Sequence, residues 1–515
     1  MITCRIFAKN VIKLKMDDKK SLKEQIIDHT VKFSIGTALR GAGQFINQYF
    51  SAFLLGPVVF GIWQGSRLIL SYGGCAGLGS AEGMSREIPI LRGKREEEKI
   101  VDVKNVSFLF NFFTTLCVST VIFIVSFFIK LNPVTALSLR FVALILIIQF
   151  FKSFLEGWLK ANNKFDIISK MAVIEGIGAV ASVILIFFFS FAGFLAGCAL
   201  NLFLSALYGY FKSDFTFEAK WDSKLLKLLI KIGFPIMLLG LSDALFYTVD
   251  RLLILRFLNV EALGFYSLGT LVFTPAMFIF YASSSVMYPR FAERFGATGR
   301  DSELKKFIIL PIRILSLVTT FIIGAIVVIL PVMIRLFLPA YIEGIMPAQI
   351  IIFGLFFSYS IGMVANFFLA TKRQYIYLVA LLTGVFINSI LSFIFLKMGW
   401  GIVGVALGAS FSYFVFFLLL MSLIIHYCKM TRRESFIFFM EVLLPLLYVF
   451  IISFFILKIL NTSDYSILGL VLNSFLREII YLIFASGLIY FLFKNLEIKN
   501  YLISLFGLPK NEKIV

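Results

Sequence analysis

About fourteen apolar runs of roughly twenty residues follow one another along this chain, and their succession constrains the fold more than any other feature. They lie near 33–55, 58–80, 105–129, 134–155, 168–190, 192–211, 232–256, 262–287, 307–331, 346–369, 375–396, 400–426, 436–457 and 477–493. A helix needs about 20 mostly apolar residues to cross the hydrocarbon core of a bilayer. Composition agrees: 60% of the 515 residues are hydrophobic and 15% charged, against about 45–50% and about 25% in soluble domains. No charged stretch is long enough to hold a sizeable soluble domain. The sequence predicts an all-α integral membrane protein with about fourteen transmembrane helices.

The 48 Lys and Arg outnumber the 29 Asp and Glu, for a net charge of +19, and their placement orients the chain. With the N-terminus inside, 38 of them fall in inner segments and inner helix ends. Seven lie at outer positions, and three (Arg40, Arg67 and Arg251) fall within spans. Cytoplasmic loops carry the Lys/Arg excess, so both termini are expected in the cytoplasm. The basic residues are spread over eight segments facing anionic inner-leaflet lipid, which accounts for them without nucleic acid. Five cysteines and two histidines, none at metal-ligand spacing, exclude a His-based triad and point to no metal, cofactor or catalytic residue. Residues 1–32 are basic and lack the apolar core of a signal peptide. They read as an inner-surface helix, with Met1 and Met16 both available as starts.

The chain resembles itself. Phe60-Gly61-Ile62-Trp63 recurs as Leu263-Gly264-Phe265-Tyr266, and Ser85-Arg86 as Pro289-Arg290, at offsets of 203 and 204. Two further matches follow in the same order, around Lys160–Lys164 and Gly193/Gly197. Each half then holds six spans, an even number, so both enter the membrane in the same direction. This predicts two six-helix bundles related by a pseudo-two-fold axis along the membrane normal, with a cavity between them. The expected divisions are a basic segment 1–32, a first bundle 33–211, a linker 212–231, a second bundle 232–426, two additional helices in 427–493 and a tail 494–515.

Leu55-Gly56-Pro57, the Phe60–Trp63 motif, Gly77-Leu78-Gly79-Ser80-Ala81 and Arg86-Glu87-Ile88-Pro89 resemble the start of the polysaccharide transporter family. Gly233-Phe234-Pro235-Ile236, Tyr247-Thr248-Val249-Asp250-Arg251 and Leu263–Leu268 resemble its second half. That family comprises lipid-linked oligosaccharide flippases, O-antigen flippases among them, of the multidrug/oligosaccharidyl-lipid/polysaccharide exporter superfamily. The resemblance implies the two-bundle exporter fold in the bacterial cytoplasmic (inner) membrane. It also implies flipping of undecaprenyl-diphosphate-linked oligosaccharide to the outer leaflet for surface polysaccharide such as O-antigen, lipopolysaccharide or capsule. Other polysaccharide-assembly membrane proteins are the partners it suggests.

Such a substrate needs a hydrated, cationic passage for its diphosphate. An arginine at a helix centre costs about 2.5–3.5 kcal/mol on insertion scales and so requires a reason. Arg40, Gln44 and Asn47 share one face of the first span at i, i+4 and i+7; Gln64, Arg67 and Ser71 repeat the pattern in the second. With Arg251 in the seventh span, these are the candidate substrate-binding residues, because a guanidinium donates two hydrogen bonds to phosphate and stays charged. For Arg251 the competing reading is neutralisation of Asp250; for Arg40 and Arg67 it is snorkelling toward an interface. Asp243, Asp250 and Glu175 are candidate ion-coupling carboxylates. Arg86 and Arg290, at matched inner ends, read first as positive-inside anchors and second as the point where the diphosphate enters. The alternative function is an ion-coupled drug or cation antiporter of the same fold. A membrane polymerase or glycosyltransferase is disfavoured, since no outer loop exceeds about twenty residues, less than a catalytic domain requires.

Overall fold

A computed structural model describes residues 2–128, 131–213, 215–272, 291, 294–459 and 467–493, with side chains from Ile35 onward except 302, 306, 459, 467, 468, 488, 489 and 491–493. The helices are α1 (Ile2–Gly73), α2 (Ser80–Gly93), α3 (Glu97–Phe128), α4 (Pro133–Ala161), α5 (Phe165–Lys212), α6 (Ser223–Phe246) and α7 (Val249–Phe257). After α8 (Val260–Val272) come α9 (Lys305–Phe337), α10 (Ile345–Leu355), α11 (Ile361–Ala370), α12 (Gln374–Lys397), α13 (Gly401–Tyr427), α14 (Arg432–Ile459) and α15 (Ile467–Phe493).

Among the described residues, 11 helical stretches are long and apolar enough to cross a membrane. Two of them are of double length, 43 and 48 residues, and each is broken once. In α1 the break is Gly56 (φ 73, ψ 172), a backbone conformation that side chains disfavour, followed by Pro57, which restarts the helix. In α5 it is Ser190 (φ 50, ψ −129). At about 1.5 Å per residue each half is long enough for one pass. The all-helical membrane architecture is as the sequence predicts. The count of fourteen is not reproduced: the eleven stretches merge neighbouring passes, and 273–290 lies outside the described residues. Many large apolar side chains stay exposed, among them Phe187, Phe188, Phe386 and Phe475, as expected of surfaces that meet lipid.

The chain divides into two compact units, Met1–Leu54 with Ser66–Leu241, and Leu55–Gly65 with Ser242–Val515. These limits differ from bundles of 33–211 and 232–426. Residues 55–65 join the second unit and the start of α6 joins the first. Close backbone approach explains both shifts. A methyl on Gly233 would overlap the backbone of Gly79 and Gly83 on the α2 side, which ties α6 to α2. A methyl on Gly61 would overlap the Val260 carbonyl, and one on Gly264 the Pro57 carbonyl. Gly61 and Gly264 are the matched glycines of the internal repeat.

In the first unit, α1 and the first half of α5 run side by side on small residues. Gly36 packs on Ser169, and Gly43, two turns on, packs on Gly176. An inner core of Met84, Ile88, Leu91, Val103, Leu155 and Phe215 holds α2, α3 and α4 together. Asp222 caps α6 by accepting from the Leu225 and Lys224 backbone N–H groups. In the second unit, α14 and α15 pack on α9 through Val328, Val449, Ile456 and Tyr481. Ion pairs Lys305–Glu434 and Arg313–Glu441, both 2.7 Å, link α9 to α14 as well.

Candidate functional site

The tight α1–α5 packing sets Arg40 beside Glu175, since Gly176 leaves no room for a methyl against the backbone of Leu39 and Arg40. Helix α4 adds Lys152 and Glu156, one turn apart. Lys152 Nζ lies 2.8 Å from Glu175 Oε1 and 3.2 Å from Glu156 Oε1. Arg40 Nη1 reaches the same two carboxylates at longer range, 3.7 Å to Glu156 and 4.0 Å to Glu175. Ser205 Oγ donates to Glu175 Oε1 at 2.9 Å, and Asn201 Nδ2 to the Glu175 carbonyl at 3.0 Å. The result is a four-charge cluster, formally neutral, within one unit. Its members are not equivalent. The Lys152 and Glu175 side chains are 9% and 2% exposed, that of Arg40 27%. Lysine clamps the buried acid, while the guanidinium stands at the open edge with only long contacts.

Glu175, a candidate for ion coupling, is thus held by a lysine and faced by an arginine. Sequence reasoning missed Lys152 and Glu156. Their signal was a Lys–Glu pair at i, i+4 at the end of an apolar run, a spacing that places both on one helix face.

In the second unit, the seventh span is discontinuous. It breaks at Tyr247-Thr248, between α6 and α7, and Asp250 and Arg251 stand in the first turn of α7. Asp250 is buried; Tyr266 donates its hydroxyl to Oδ2, and the Arg251 backbone N–H donates to Oδ1 at 2.8 Å. Among the described residues the Arg251 guanidinium makes no ion pair, and its buried Nε has no hydrogen-bond partner. Arg251 thus acts on Asp250 as a neighbouring positive charge and not through a direct ion pair. Broken helices in membrane proteins persist where the freed backbone is buried in protein or lines a cavity.

The remaining candidates fall in different places. Asn47 is buried in helix packing: its amide donates to the Ala179 carbonyl at 3.0 Å and to Ser182 Oγ at 2.7 Å. Gln44 is exposed, so the predicted stripe of the first span splits between a helix contact and an open face. Gln64 is buried in the second unit, whereas Arg67 is exposed in the first. Asp243 is half-buried, with no cation paired to it among the described residues. Arg86 is exposed on α2 and lines a cavity. Arg290 lies outside the described residues.

The family model described as "Polysaccharide biosynthesis protein" matches residues 89–340. Among solved structures, the chain is similar to lipid II flippase MurJ in an inward closed conformation, with a TM-score of 0.64 and 17% identity over 90% of this chain and 99% of that one. It is also similar to a multidrug resistance MATE family transporter of the MOP superfamily in its inward-facing conformation (0.54, 16%, covering 78% and 96%). A third likeness is to a MOP superfamily transporter from Pyrococcus furiosus described as having a binding pocket of reverse polarity (0.54, 18%, 78% and 96%). No curated protein is similar enough in sequence to match it. These solved relatives are transporters and a flippase, not enzymes. The chain has the fold of these solved structures, and its residues 89–340 match the polysaccharide biosynthesis family model.

Proposed function

We propose that this protein flips a lipid-linked oligosaccharide, carried on undecaprenyl diphosphate, from the cytoplasmic to the outer leaflet of the bacterial inner membrane by alternating access. Both termini stay in the cytoplasm, and the product feeds surface polysaccharide such as O-antigen, lipopolysaccharide or capsule. The observation that carries this reading is Arg251. It is a guanidinium on a broken span, with no ion pair and a buried N–H left over among the described residues, although an aspartate stands next to it. A buried donor without a partner is costly, and a phosphate oxygen is the acceptor that suits a guanidinium. Arg40 supports the reading as a second, loosely held guanidinium, and Arg67 as an exposed one. An apolar groove of about 880 Å³ in the second unit, bordered by Phe353, Phe357, Phe414, Leu443 and Phe450, gives an isoprenoid tail continuous hydrocarbon contact. An inside-negative potential favours outward movement of an anionic head by about 2.3 kcal/mol per charge per 100 mV.

The second reading, an ion-coupled drug or cation antiporter, draws on Asp243, which has no cation paired to it among the described residues. Replacing Arg40, Arg67 and Arg251 singly by Ala and by Lys, then assaying surface polysaccharide, separates the two. Export lost in the Ala variants supports the flippase. Normal export in all six, with drug efflux lost in Asp243→Asn, supports the antiporter.

A further inference from the structure

The first unit holds a cavity of about 510 Å³ beside the first two turns of α2, walled by α3 and α4. Its polar lining comes from three helices: Glu82, Ser85 and Arg86 on α2, Asn111 and Thr115 on α3, and Gln149 and Ser153 on α4. Asn111 is committed, donating to Ser80 Oγ at 2.5 Å and to the Ser107 carbonyl at 2.8 Å. The others are not. Among the described residues Glu82, Ser85, Arg86, Gln149 and Ser153 make no side-chain hydrogen bond or ion pair. Glu82 and Arg86 stand one turn apart on the same helix and both face the cavity, yet they form no ion pair. Two of these groups are half-buried and three exposed, and their convergence on a cavity of ligand size is the ordinary setting of a binding site.

Charge decides the class of ligand. A pocket for diphosphate alone would carry an excess of cations, whereas this one offers a single arginine offset by a single carboxylate, plus the Gln149 amide and three hydroxyls. That set suits a polyol: a carboxylate accepts from sugar hydroxyls, and an amide both donates and accepts. Depth orders the groups, since Arg86 is exposed and Glu82 and Gln149 are half-buried.

We propose that this cavity is a glycan pocket, holding the sugar next to the diphosphate of the lipid-linked substrate, with Glu82 and Gln149 bonding its hydroxyls and Arg86 at the mouth toward the phosphate. The inference rests on the flippase reading and adds a sugar subsite within the first unit.

The test uses full-length protein in detergent and soluble probes: farnesyl diphosphate, and the same molecule bearing glucose, galactose or N-acetylglucosamine. A site built to bond hydroxyls rejects an analogue that lacks them, so one glycosylated probe should bind about tenfold more tightly than the bare diphosphate. Glu82→Gln, Gln149→Ala and the cavity-filling Gly157→Leu should each erase that preference while leaving farnesyl diphosphate affinity unchanged. Unchanged elution on size exclusion shows that each variant is folded. A preference that survives all three pocket variants, or no preference for any sugar, overturns the glycan pocket and leaves the flippase reading standing. If none of the four probes binds, the flippase reading falls and the pocket with it.

Discussion

Lys152 Nζ sits 2.8 Å from Glu175 Oε1 inside the first unit, with both side chains at least nine-tenths shielded. Removing one partner of such a pair leaves a buried charge uncompensated, which costs about 3–5 kcal/mol, whereas replacing both by apolar groups is often neutral. Lys152→Met should therefore lower the thermal unfolding temperature of the detergent-solubilised protein sharply. Lys152→Met with Glu175→Met should recover most of the loss. A double variant no more stable than the single would show that the pair is not the source of the effect.

Asn47 and Gln44 lie one turn apart and should respond differently. The Asn47 amide is used in two interhelical hydrogen bonds, which Asn47→Ala removes while Ser182 Oγ still donates to the Ala179 carbonyl at 2.7 Å. Each lost hydrogen bond costs about 0.5–1.5 kcal/mol. Gln44 is exposed, and Gln44→Ala should change stability by less than about 0.5 kcal/mol. Melting curves of the two variants, with surface polysaccharide assayed in parallel, check the contrast. Equal destabilisation would contradict it.

The membrane class, the approximate positions of the spans and the glycine pair of the repeat were legible because hydropathy and motif spacing are local properties of the chain. What a polar face meets is not local. Arg40, Gln44 and Asn47 form one stripe in a helical projection, but the position of α5 decides which of them is buried. Adjacent Asp250 and Arg251 suggested mutual neutralisation; consecutive helix residues do not face each other, so the guanidinium acts on the carboxylate as a nearby charge without a direct ion pair. Tyr266 and a backbone N–H take the aspartate instead. Lys152 sits where a positive-inside count places an inner-surface charge, and only tertiary packing turns it inward. The assigned roles of the arginines and of Asp243 rest on these placements and await the substitutions above.

Asp222 links pH to the start of α6. The Leu225 and Lys224 backbone N–H groups hold its carboxyl below the usual aspartate value. A depressed folded-state pKa adds stability that is present above the unfolded value of about 3.9 and is lost as pH falls through the folded one. Asp222→Asn retains an acceptor at the cap but carries no titrating group. Between pH 6 and about 3, the wild type should therefore lose more stability than Asp222→Asn, as read by thermal melts across that range. Parallel losses would sever the link.

Gly61 and Gly264 contact each other's segments reciprocally: Gly61 meets Val260 and Gly264 meets Pro57, and the matched positions, Gly61 with Gly264 and Pro57 with Val260, are each 203 apart. Such reciprocity is the mark of a two-fold contact, in which residue i meets j′ while j meets i′. Both glycines abut backbone carbonyls, not flexible side chains, so an added methyl has to push the segments apart. Overpacking of this kind costs about 1–3 kcal/mol, and the local symmetry makes the cost similar at the two positions. Gly61→Ala and Gly264→Ala should each lower the melting temperature by comparable amounts. The double variant should lose less than the sum, because the first separation already makes room for the second methyl. Full additivity, or a loss confined to one position, would mean that the two contacts do not share an axis.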